Sequence, residues 1–321
     1  MHLGLISASL TSNYSIGGVI RSQFAHLLSI LMLLILANPK HFTKLKDYVR
    51  TTIVLGTLIF FGLYLLYRYA GFTTIRIMYG GVRFTGGARN PNQLALFLVS
   101  LPFLVLYFLV EESRNTKKTS VFIFWTILLV LAINLGLATQ SDGLYGTWIL
   151  SVLILITVSI FANLKFPSSL MVMLVFFISI LLILVINENY RLLQKFILDW
   201  FNELDEGGSR AYLWGEGIKQ TFKYPLFGLG PGSFIKLSTL QAESHNTFID
   251  LALQGGYITL IIFLIMLGTI VKGVRKQPIL ITAFASLIIF SMSHYVLRQP
   301  IFWFICSAIV SLNINRSRSY Y

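Results

Sequence analysis

The sequence predicts an all-α, multi-pass helical membrane protein with about nine transmembrane helices, and three observations support this. The 321 residues are 56% hydrophobic and only 12% charged, whereas a soluble domain carries about a quarter charged residues. Apolar runs of about 18 or more residues recur along the whole length. Basic residues are concentrated in alternate connections between these runs. We therefore expect a single membrane domain over residues 1–321.

The predicted spans follow the apolar runs in chain order. They are roughly Val19–Ala37, Thr51–Tyr69, Asn92–Val110, Val121–Thr139, Leu144–Ala162, Ser169–Asn187, Thr247–Val271, Ile279–Tyr295 and Ile301–Asn313. The last run is short for a bilayer, which predicts a tilted or partly inserted helix.

The basic residues predict the orientation of the spans. The positive-inside rule assigns the basic connections to the cytoplasm, and their cations are Lys40, Lys44, Lys46, Arg50, Arg114, Lys117, Lys118, Lys272, Arg275, Lys276, Arg316 and Arg318. Residues 71–91, 140–143, 188–246 and 294–300 then lie outside. The net charge of +13 thus reflects membrane topology, and no nucleic-acid partner is expected. The first eighteen or so residues would begin outside, so we expect either missing upstream spans or insertion of Met1–Gly18 in another helix.

Residues 188–246 are predicted to form one long extracytoplasmic loop that contains amphipathic helices. Its first part places six apolar residues on one helical face: Leu192, Leu193, Phe196, Ile197, Trp200 and Phe201. Such a helix would lie flat on the membrane surface. Packing against other spans as a lid is an equally good interpretation.

Neither a disulfide nor a metal site is predicted. Cys306 is the single cysteine and lies in an apolar run, where it serves as a small buried side chain. No two histidines have helical ligand spacing, and no Asp-x-Asp motif occurs. The nearest acidic pair, Glu203 and Asp205, is typical of a solvated loop. We expect no metal and no cofactor.

A first polar group, in RFTGGARNPNQLALF, immediately precedes a span. It carries Arg83, Arg89 and Asn92. The Gly86–Gly87 pair permits a tight turn, and Pro91 suits the first turn of a helix. Two arginines here could bind a phosphate through their forked donors. The alternative is that they contact lipid headgroups at the interface.

A second group, SRAYLWGEGIKQTFKYPLFGLGPGSF, begins at Ser209 and Arg210. Arg210 stands at the start of a helical stretch and could add a cation to an anionic pocket. The loop that follows carries Gly228, Gly230 and Gly232. These glycines would permit a backbone to approach a ligand closely, although glycine turns are common.

A third group is Ser244-His245-Asn246, directly before another span. The partial positive charge of a helix N-terminus disfavours a cationic imidazole, so His245 is expected to stay neutral, as a general base must. Glu243 or Asp250 would oppose that tendency. The alternative is a capping cluster in which Ser244 or Asn246 caps the helix.

Asp142 lies in TQSDGLYG, in a tight turn between two spans. A charge so close to a membrane is a functional candidate. Here the alternative, a helix cap at the outer interface, explains the residue better.

These motifs, in this order and among these spans, resemble the O-antigen ligase and Wzy-type polysaccharide polymerase family. The resemblance covers roughly Arg83 to Leu264, more than half of the chain. It implies a GT-C-like membrane glycosyltransferase of the bacterial cytoplasmic membrane. Such enzymes move a glycan from undecaprenyl pyrophosphate to an acceptor hydroxyl on the extracytoplasmic face, without metal.

The resemblance also implies roles for individual residues. His245 corresponds to the base that activates the acceptor, and Arg83 and Arg210 to the cations that hold and neutralise the pyrophosphate. Asn92 and Asn246 match pattern positions and are predicted to bind substrate. Arg89, an extra cation near the motif, and Asp142 are predicted to do so as well. Asp142 stands where the family commonly has arginine, so the contact made by that arginine is in question here.

Three functions share these motifs and differ in what happens to the glycan. A polymerase of O-antigen, capsule or exopolysaccharide extends another lipid-linked glycan and is narrowly favoured. A ligase attaches the finished glycan to lipid A-core or protein. A flippase for lipid-linked glycans would need ionisable residues deep within spans, whereas most of them lie at outer ends. Expected partners are the lipid-linked donor, a glycan or lipid-core acceptor, membrane lipids and a chain-length regulator.

Overall fold

The structure, a computed structural model, describes residues 42–71, 77–161, 209–240 and 242–318, together with the single positions Phe24, Leu27 and Leu31. Within that part of the chain the elements are, in order, α1 (Phe42–Ala70), β1 (Met78–Tyr79), β2 (Arg83–Phe84), α2 (Pro91–Leu98), α3 (Leu101–Thr116), α4 (Thr119–Ala138), α5 (Asp142–Phe161), α6 (Ser209–Lys223), α7 (Ser233–Leu237), α8 (Thr247–Val274), α9 (Pro278–Ser291) and α10 (Pro300–Arg318). The prediction of an all-α, multi-pass membrane protein is confirmed.

Five stretches of helix in the described chain are long and apolar enough to cross a membrane: Lys44–Ala70, Pro91–Thr116, Thr119–Ala138, Asp142–Ile160 and Thr247–Val274. Two shorter apolar helices cover Pro278–Ser291 and Pro300–Asn313. These seven correspond to seven of the predicted spans. Ser169–Asn187 and the amphipathic segment that begins the long loop lie outside the described residues. So does Val19–Ala37, apart from three helical positions.

The predicted span Ile279–Tyr295 extends beyond the observed helix at its C-terminal end, because α9 ends at Ser291. The chain beyond it is held by a side chain of α8. Thr247 donates its hydroxyl to the carbonyl of His294 at 2.6 Å and accepts from the N–H of Val296 at 3.1 Å. These backbone groups are therefore paired outside any helix.

The predicted span Asn92–Val110 is also interrupted, since α2 ends at Leu98 and α3 begins at Leu101. Pro102 lies in the first turn of α3, where its missing N–H costs nothing. The hydroxyl of Ser100, at the break, donates to the carbonyl of Ala283 in α9 at 2.7 Å. The break is thus anchored to a neighbouring helix.

The described residues fall into two compact units. The α6–α8 unit holds residues 209–240, 242–273 and 291–307, with the three single positions. The α1–α5 unit holds residues 42–71, 77–161, 274–290 and 308–318.

In the α1–α5 unit, two of the connections predicted to be cytoplasmic meet at one end. Lys46 of α1 pairs with Glu111 of α3 at 2.7 Å, and Arg50 pairs with Glu112 at 3.1 Å. Glu112 also accepts from the indole N–H of Trp125 at 2.8 Å. The basic start of α1 and the basic end of α3 therefore lie on one side, as the positive-inside rule requires.

At the other end of the same unit, α4 and α5 are in close contact. A Cβ added at Gly136 would lie 2.0 Å from the ring of Trp148, so α4 admits the indole only because residue 136 has no side chain. The indole N–H of Trp148 donates to the carbonyl of Val99 at 3.0 Å. This packing fixes the turn between α4 and α5, where several candidate residues lie.

The α6–α8 unit has a small core of its own. Leu213, Phe234 and Leu253 are buried together, and Leu229, Ala242 and Ile249 pack against them. A Cβ added at Gly217 would lie 2.8 Å from the side chain of Ile249. The helices α6 and α7 are thus held against the first turns of α8, next to His245.

Candidate active site

Arg83 lies in the β-hairpin of the α1–α5 unit, where it pairs with Tyr79 across the two strands. Its Nε–H donates to the backbone carbonyl of Thr139 at 3.1 Å. This bond orients the guanidinium plane and joins the hairpin to the turn after α4. The orientation of Arg83, one of the two arginines in the first predicted group, is thereby defined.

The same turn also holds Asn92. The hydroxyl of Ser141 donates to Asn92 Oδ1 at 3.0 Å, and Ser141 is itself buried. Asp142 follows as the first residue of α5 and is exposed. Arg83 and Asp142 both act electrostatically on the hydroxyl of Tyr145. Three sequence-predicted residues, Arg83, Asn92 and Asp142, are thus brought together around the turn 139–142.

Arg89 and Asn90 begin α2. Asn90 Oδ1 accepts from the N–H of Gln93 at 3.0 Å, Gln93 Oε1 accepts from the N–H of Arg89 at 3.0 Å, and Pro91 starts the helix. This reciprocal arrangement is a helix cap. The predicted tight turn is also present, since Gly86 has a φ of +59°. Arg89 contributes its backbone N–H to the cap, and the residue as a whole is exposed.

His245 stands in the α6–α8 unit directly before α8. It is exposed and has a φ of +54°, in the left-handed region that non-glycine residues rarely adopt. Such a conformation persists where the surroundings determine it, and it often marks a functional site. The residues on either side of His245 are buried. The imidazole is therefore presented at the surface by a fixed backbone.

The cap of α8 is built by the neighbours of His245. Asn246 Oδ1 accepts from the N–H groups of Phe248 and Ile249 at 3.0 and 3.2 Å. The Ser244 hydroxyl donates to the carbonyl of Asn246 and accepts from its N–H, each at 3.3 Å. Of the two residues considered as caps, Asn246 is the one that caps the helix. Asn246 was predicted to bind substrate, and its side-chain oxygen is engaged in this cap.

Asp250 supports the same turn from within α8. It is buried, and its Oδ1 accepts from the N–H of Ser244 at 3.3 Å. Its Oδ2 has no hydrogen-bond partner among the described residues. The carboxyl group thus holds the backbone one residue before His245.

Arg298 is a residue that the sequence reasoning missed. Both of its terminal nitrogens bind Glu243, with Nη1–Oε1 at 2.7 Å and Nη2–Oε2 at 2.8 Å. Its guanidinium lies over the ring of Tyr295 at 4.9 Å. The signal was available, because Arg298 is the single cation in HYVLRQP, a connection already assigned to the outer face.

The pKa of His245 lies below its ordinary value, and three causes act in that direction. Partial burial of the ring has the largest effect, and Arg210 and Arg298 add to it, while Glu243 opposes them. The sequence reasoning expected a neutral imidazole from the field of the helix N-terminus. The pKa shift has the expected direction, but its causes are desolvation of the ring and the charges of Arg210 and Arg298. Of the two carboxylates expected to oppose it, Glu243 does so.

Arg210 lies in the first turn of α6, as the sequence predicts, and its side chain is exposed. Two residues of α6 bind the segment that leads back toward His245. The Tyr212 hydroxyl shares a hydrogen bond with the Thr239 hydroxyl at 3.0 Å, and Glu216 accepts from both the hydroxyl and the N–H of Thr239. These bonds hold α6 against the segment that carries Thr239. Arg210, in the first turn of α6, is close enough to His245 to lower the pKa of the imidazole.

The glycine-rich loop after α6 was expected to let a ligand approach. Among the described residues, its close contact is with α8. The N–H of Leu229 donates to the carbonyl of Leu253, and a Cβ at Gly228 would lie 2.5 Å from that carbonyl. Gly256, with φ 71° and ψ 179°, interrupts α8 at this point. The glycines thus let two backbones meet.

The predicted site residues therefore divide between the units. Arg83, Asn92 and Asp142 share one turn of the α1–α5 unit, and Arg210 and His245 share a surface of the α6–α8 unit. Among the described residues, no group of three or more His, Cys, Asp or Glu side chains could hold a metal ion.

Comparison with known proteins gives two matches. The O-antigen ligase family model matches residues 127–264, a segment that includes Asp142, Arg210 and His245. The ComP-specific O-oligosaccharyltransferase of Acinetobacter baylyi is 28% identical over 267 residues, which are 74% of this chain and 46% of that protein. The chain thus spans less than half the length of this relative. No solved structure matches the present chain significantly. The matched segment and the relative both support the resemblance to the O-antigen ligase family that the ordered motifs predicted.

Proposed function

We propose that the protein is a membrane glycosyltransferase of the O-antigen ligase type, which transfers a glycan from undecaprenyl pyrophosphate to an acceptor hydroxyl. One observation carries the proposal. His245, inside the matched segment 127–264, lies at the surface on a left-handed backbone directly before α8. Partial desolvation of its ring, together with Arg210 and Arg298, lowers its pKa. A neutral imidazole next to a cation suits a base that works beside an anionic donor.

The chemistry needs a base on one side of the sugar and charge neutralisation on the other. His245 takes the proton of the acceptor hydroxyl as that oxygen forms a bond to the anomeric carbon. The bond between this carbon and the pyrophosphate oxygen breaks, and the electron pair leaves with the pyrophosphate. We assign Arg210 to neutralise that leaving group, since guanidinium groups bind phosphate oxygens through paired donors. The family resemblance implies the same role for Arg83. No metal takes part in this scheme.

We propose that the reaction takes place on the extracytoplasmic face of the bacterial cytoplasmic membrane. The polarity of α8 supports this side. His245 precedes the first residue of α8, whereas Lys272 lies in its last turn, with Arg275 and Lys276 beyond it. Because basic connections lie in the cytoplasm, the His245 end of the helix belongs outside.

We propose ligase-type transfer, in which the acceptor is lipid A-core or protein. The names of the matched family and of the relative, an O-antigen ligase and an O-oligosaccharyltransferase, both favour it over the polymerase that the sequence motifs narrowly favoured. The acceptor distinguishes the two. A flippase would instead move the donor without consuming it.

The test is transfer by the purified protein in nanodiscs, with a labelled undecaprenyl-pyrophosphate glycan and each acceptor in turn. We expect His245→Ala to lower the rate by about 100-fold or more, as loss of a general base does, and the protein to remain monodisperse. Lys219→Ala, which removes an exposed cation of α6, serves as the matched control. Retained transfer by His245→Ala would contradict the assignment of the base.

Deletion of the gene tests the acceptor in cells. Full-length glycans left on the carrier lipid indicate a ligase. Loss of the surface glycan ladder, with single repeat units retained, indicates a polymerase and contradicts the ligase proposal. Repeat units trapped inside the cell indicate a flippase and contradict glycan transfer altogether.

A further inference from the structure

We propose that Arg298 is a positioning residue for His245: its guanidinium, bound to both carboxylate oxygens of Glu243, fixes the segment 243–246 that presents the imidazole. This inference rests on the proposed function, because it assigns His245 the role of base. It adds a residue from a separate connection, between α9 and α10, to the site formed by α6 and the start of α8.

Arg298 is itself held from two sides. Both of its bonds to Glu243 are short, at 2.7 and 2.8 Å, which is the forked geometry in which arginine binds carboxylates most strongly. Its other face lies over the ring of Tyr295, 4.9 Å from the centroid, where a cation is attracted. The Tyr295 hydroxyl in turn donates to Gln254 of α8 at 3.1 Å. The guanidinium is therefore tied to α8 through the tyrosine and to the His245 segment through Glu243.

The segment 243–246 is fixed at both ends. Arg298 holds the side chain of Glu243, while the carboxyl group of Asp250 holds the N–H of Ser244 at 3.3 Å. On the far side, Asn246 is committed to the cap of α8. His245 lies between these anchors with a φ of +54°. Because this conformation is intrinsically unfavourable, it depends on the anchors around it.

The same pair sets the charge around the imidazole. Three charged groups act on His245: Arg210 from α6, Arg298 from the connection after α9, and Glu243 from its own segment. The two arginines favour the neutral ring, and Glu243 favours the charged ring. Removing either member of the pair therefore shifts the pKa of His245, and the two shifts have opposite signs. Opposite shifts would show that the charges of both residues act on the imidazole, whereas a residue that only stabilises the fold away from the ring would not produce them.

The first experiment measures the imidazole without measuring activity. Diethyl pyrocarbonate modifies neutral histidine, and peptide mass spectrometry resolves His245 from the other four histidines, which report on the reagent. We expect the midpoint of the pH profile for His245 to move upward in Arg298→Ala, which loses a cation and leaves Glu243 unpaired. In Glu243→Gln, which keeps an oxygen to accept from Arg298, we expect it to move downward.

The second experiment measures transfer. A displacement of about 1 Å can cost about 100-fold in rate, so we expect Arg298→Ala to lower kcat by about 10- to 100-fold, with a smaller change in donor KM. Arg298→Lys should restore the pH profile because the charge returns. It should regain only part of kcat, since an ammonium group cannot bind two oxygens as a fork. Lys272→Ala, at the opposite end of α8, is the control for loss of a cation.

The outcomes separate this inference from the proposed function. Wild-type kcat in Arg298→Ala, or pH midpoints of His245 that move in the same direction or not at all in the two variants, would overturn the positioning role even if His245→Ala is inactive. If His245→Ala instead retains transfer, the proposed base is wrong and the positioning role with it, whatever Arg298 does to the imidazole.

Discussion

The N–H of Tyr257 donates to the carbonyl oxygen of Pro225 over 2.7 Å, so the loop after α6 supplies a partner where α8 is interrupted. Gly256, with a φ of +71°, cannot continue the helical hydrogen-bond ladder. Unpaired backbone groups are costly near a membrane, and here the loop pairs them. The same loop follows the helix that carries Arg210, and α8 begins after His245. At this interruption, the loop that follows α6 is therefore bonded to α8, so the helix that carries Arg210 and the helix that follows His245 are connected.

Gly256→Ala is expected to destabilise the protein. An added Cβ would lie 1.9 Å from the carbonyl oxygen of Leu226, and the left-handed backbone is itself unfavourable for alanine. Together these effects should cost about 2–5 kcal/mol of the free energy of unfolding. The thermal unfolding midpoint in nanodiscs measures the loss. Gly268→Ala is the control, because that glycine lies in the same helix with open space around it. Equal midpoints for the two variants would contradict the close contact.

The pH dependence of transfer should reflect the lowered pKa of His245. A base acts in its neutral form, and a pKa below the ordinary value keeps the ring neutral at lower pH. The acidic limb of kcat/KM should therefore have its midpoint below about pH 6.5, the value for an unperturbed histidine. A rate profile from pH 4.5 to 8 measures it. A midpoint above 6.5 would show that Glu243 outweighs burial and the two arginines.

Arg210→Ala should weaken donor binding and lower turnover. Removal of a donor that stabilises developing charge costs about 100- to 1,000-fold in kcat. The variant should also move the acidic limb upward, because Arg210 lowers the pKa of His245. Binding of a labelled undecaprenyl-pyrophosphate glycan and the rate profile test the two effects separately, with Lys219→Ala as control. Normal donor binding would contradict the phosphate role.

Arg83→Lys tests whether orientation as well as charge matters in the α1–α5 unit. Lysine keeps the cation but loses the Nε–H that donates to the carbonyl of Thr139 at 3.1 Å. We expect transfer to fall by about 10- to 100-fold while the unfolding midpoint changes little. Arg68→Lys, in the last turn of α1, is the matched control. Full activity in Arg83→Lys would mean that charge alone suffices.

Much of the candidate site could be predicted from the sequence, because its signals are local. Arg210 starts a helix, Pro91 opens α2 and Asn246 caps α8, as residue type and position indicate. The role of Arg298 was not predicted, because its partner, Glu243, lies 55 residues away in the sequence. No local pattern encodes such a pairing. The glycine loop was predicted to permit close approach of a backbone to a ligand, although glycine turns are common. The sequence alone does not show that α8 also lies close to this loop.

By itself, then, the sequence determined the membrane class, seven spans that the described residues match, the resemblance to the O-antigen ligase family and the candidate arginines and histidine. Hydropathy, positive charge and helix-start residues act over one or two turns, so they can be read along the chain. Only the tertiary structure decided that Arg83 and Asn92 share the turn beside Asp142, and that Arg298 and Glu243 hold the segment carrying His245. These contacts join residues distant in the chain, and their geometry depends on helix packing.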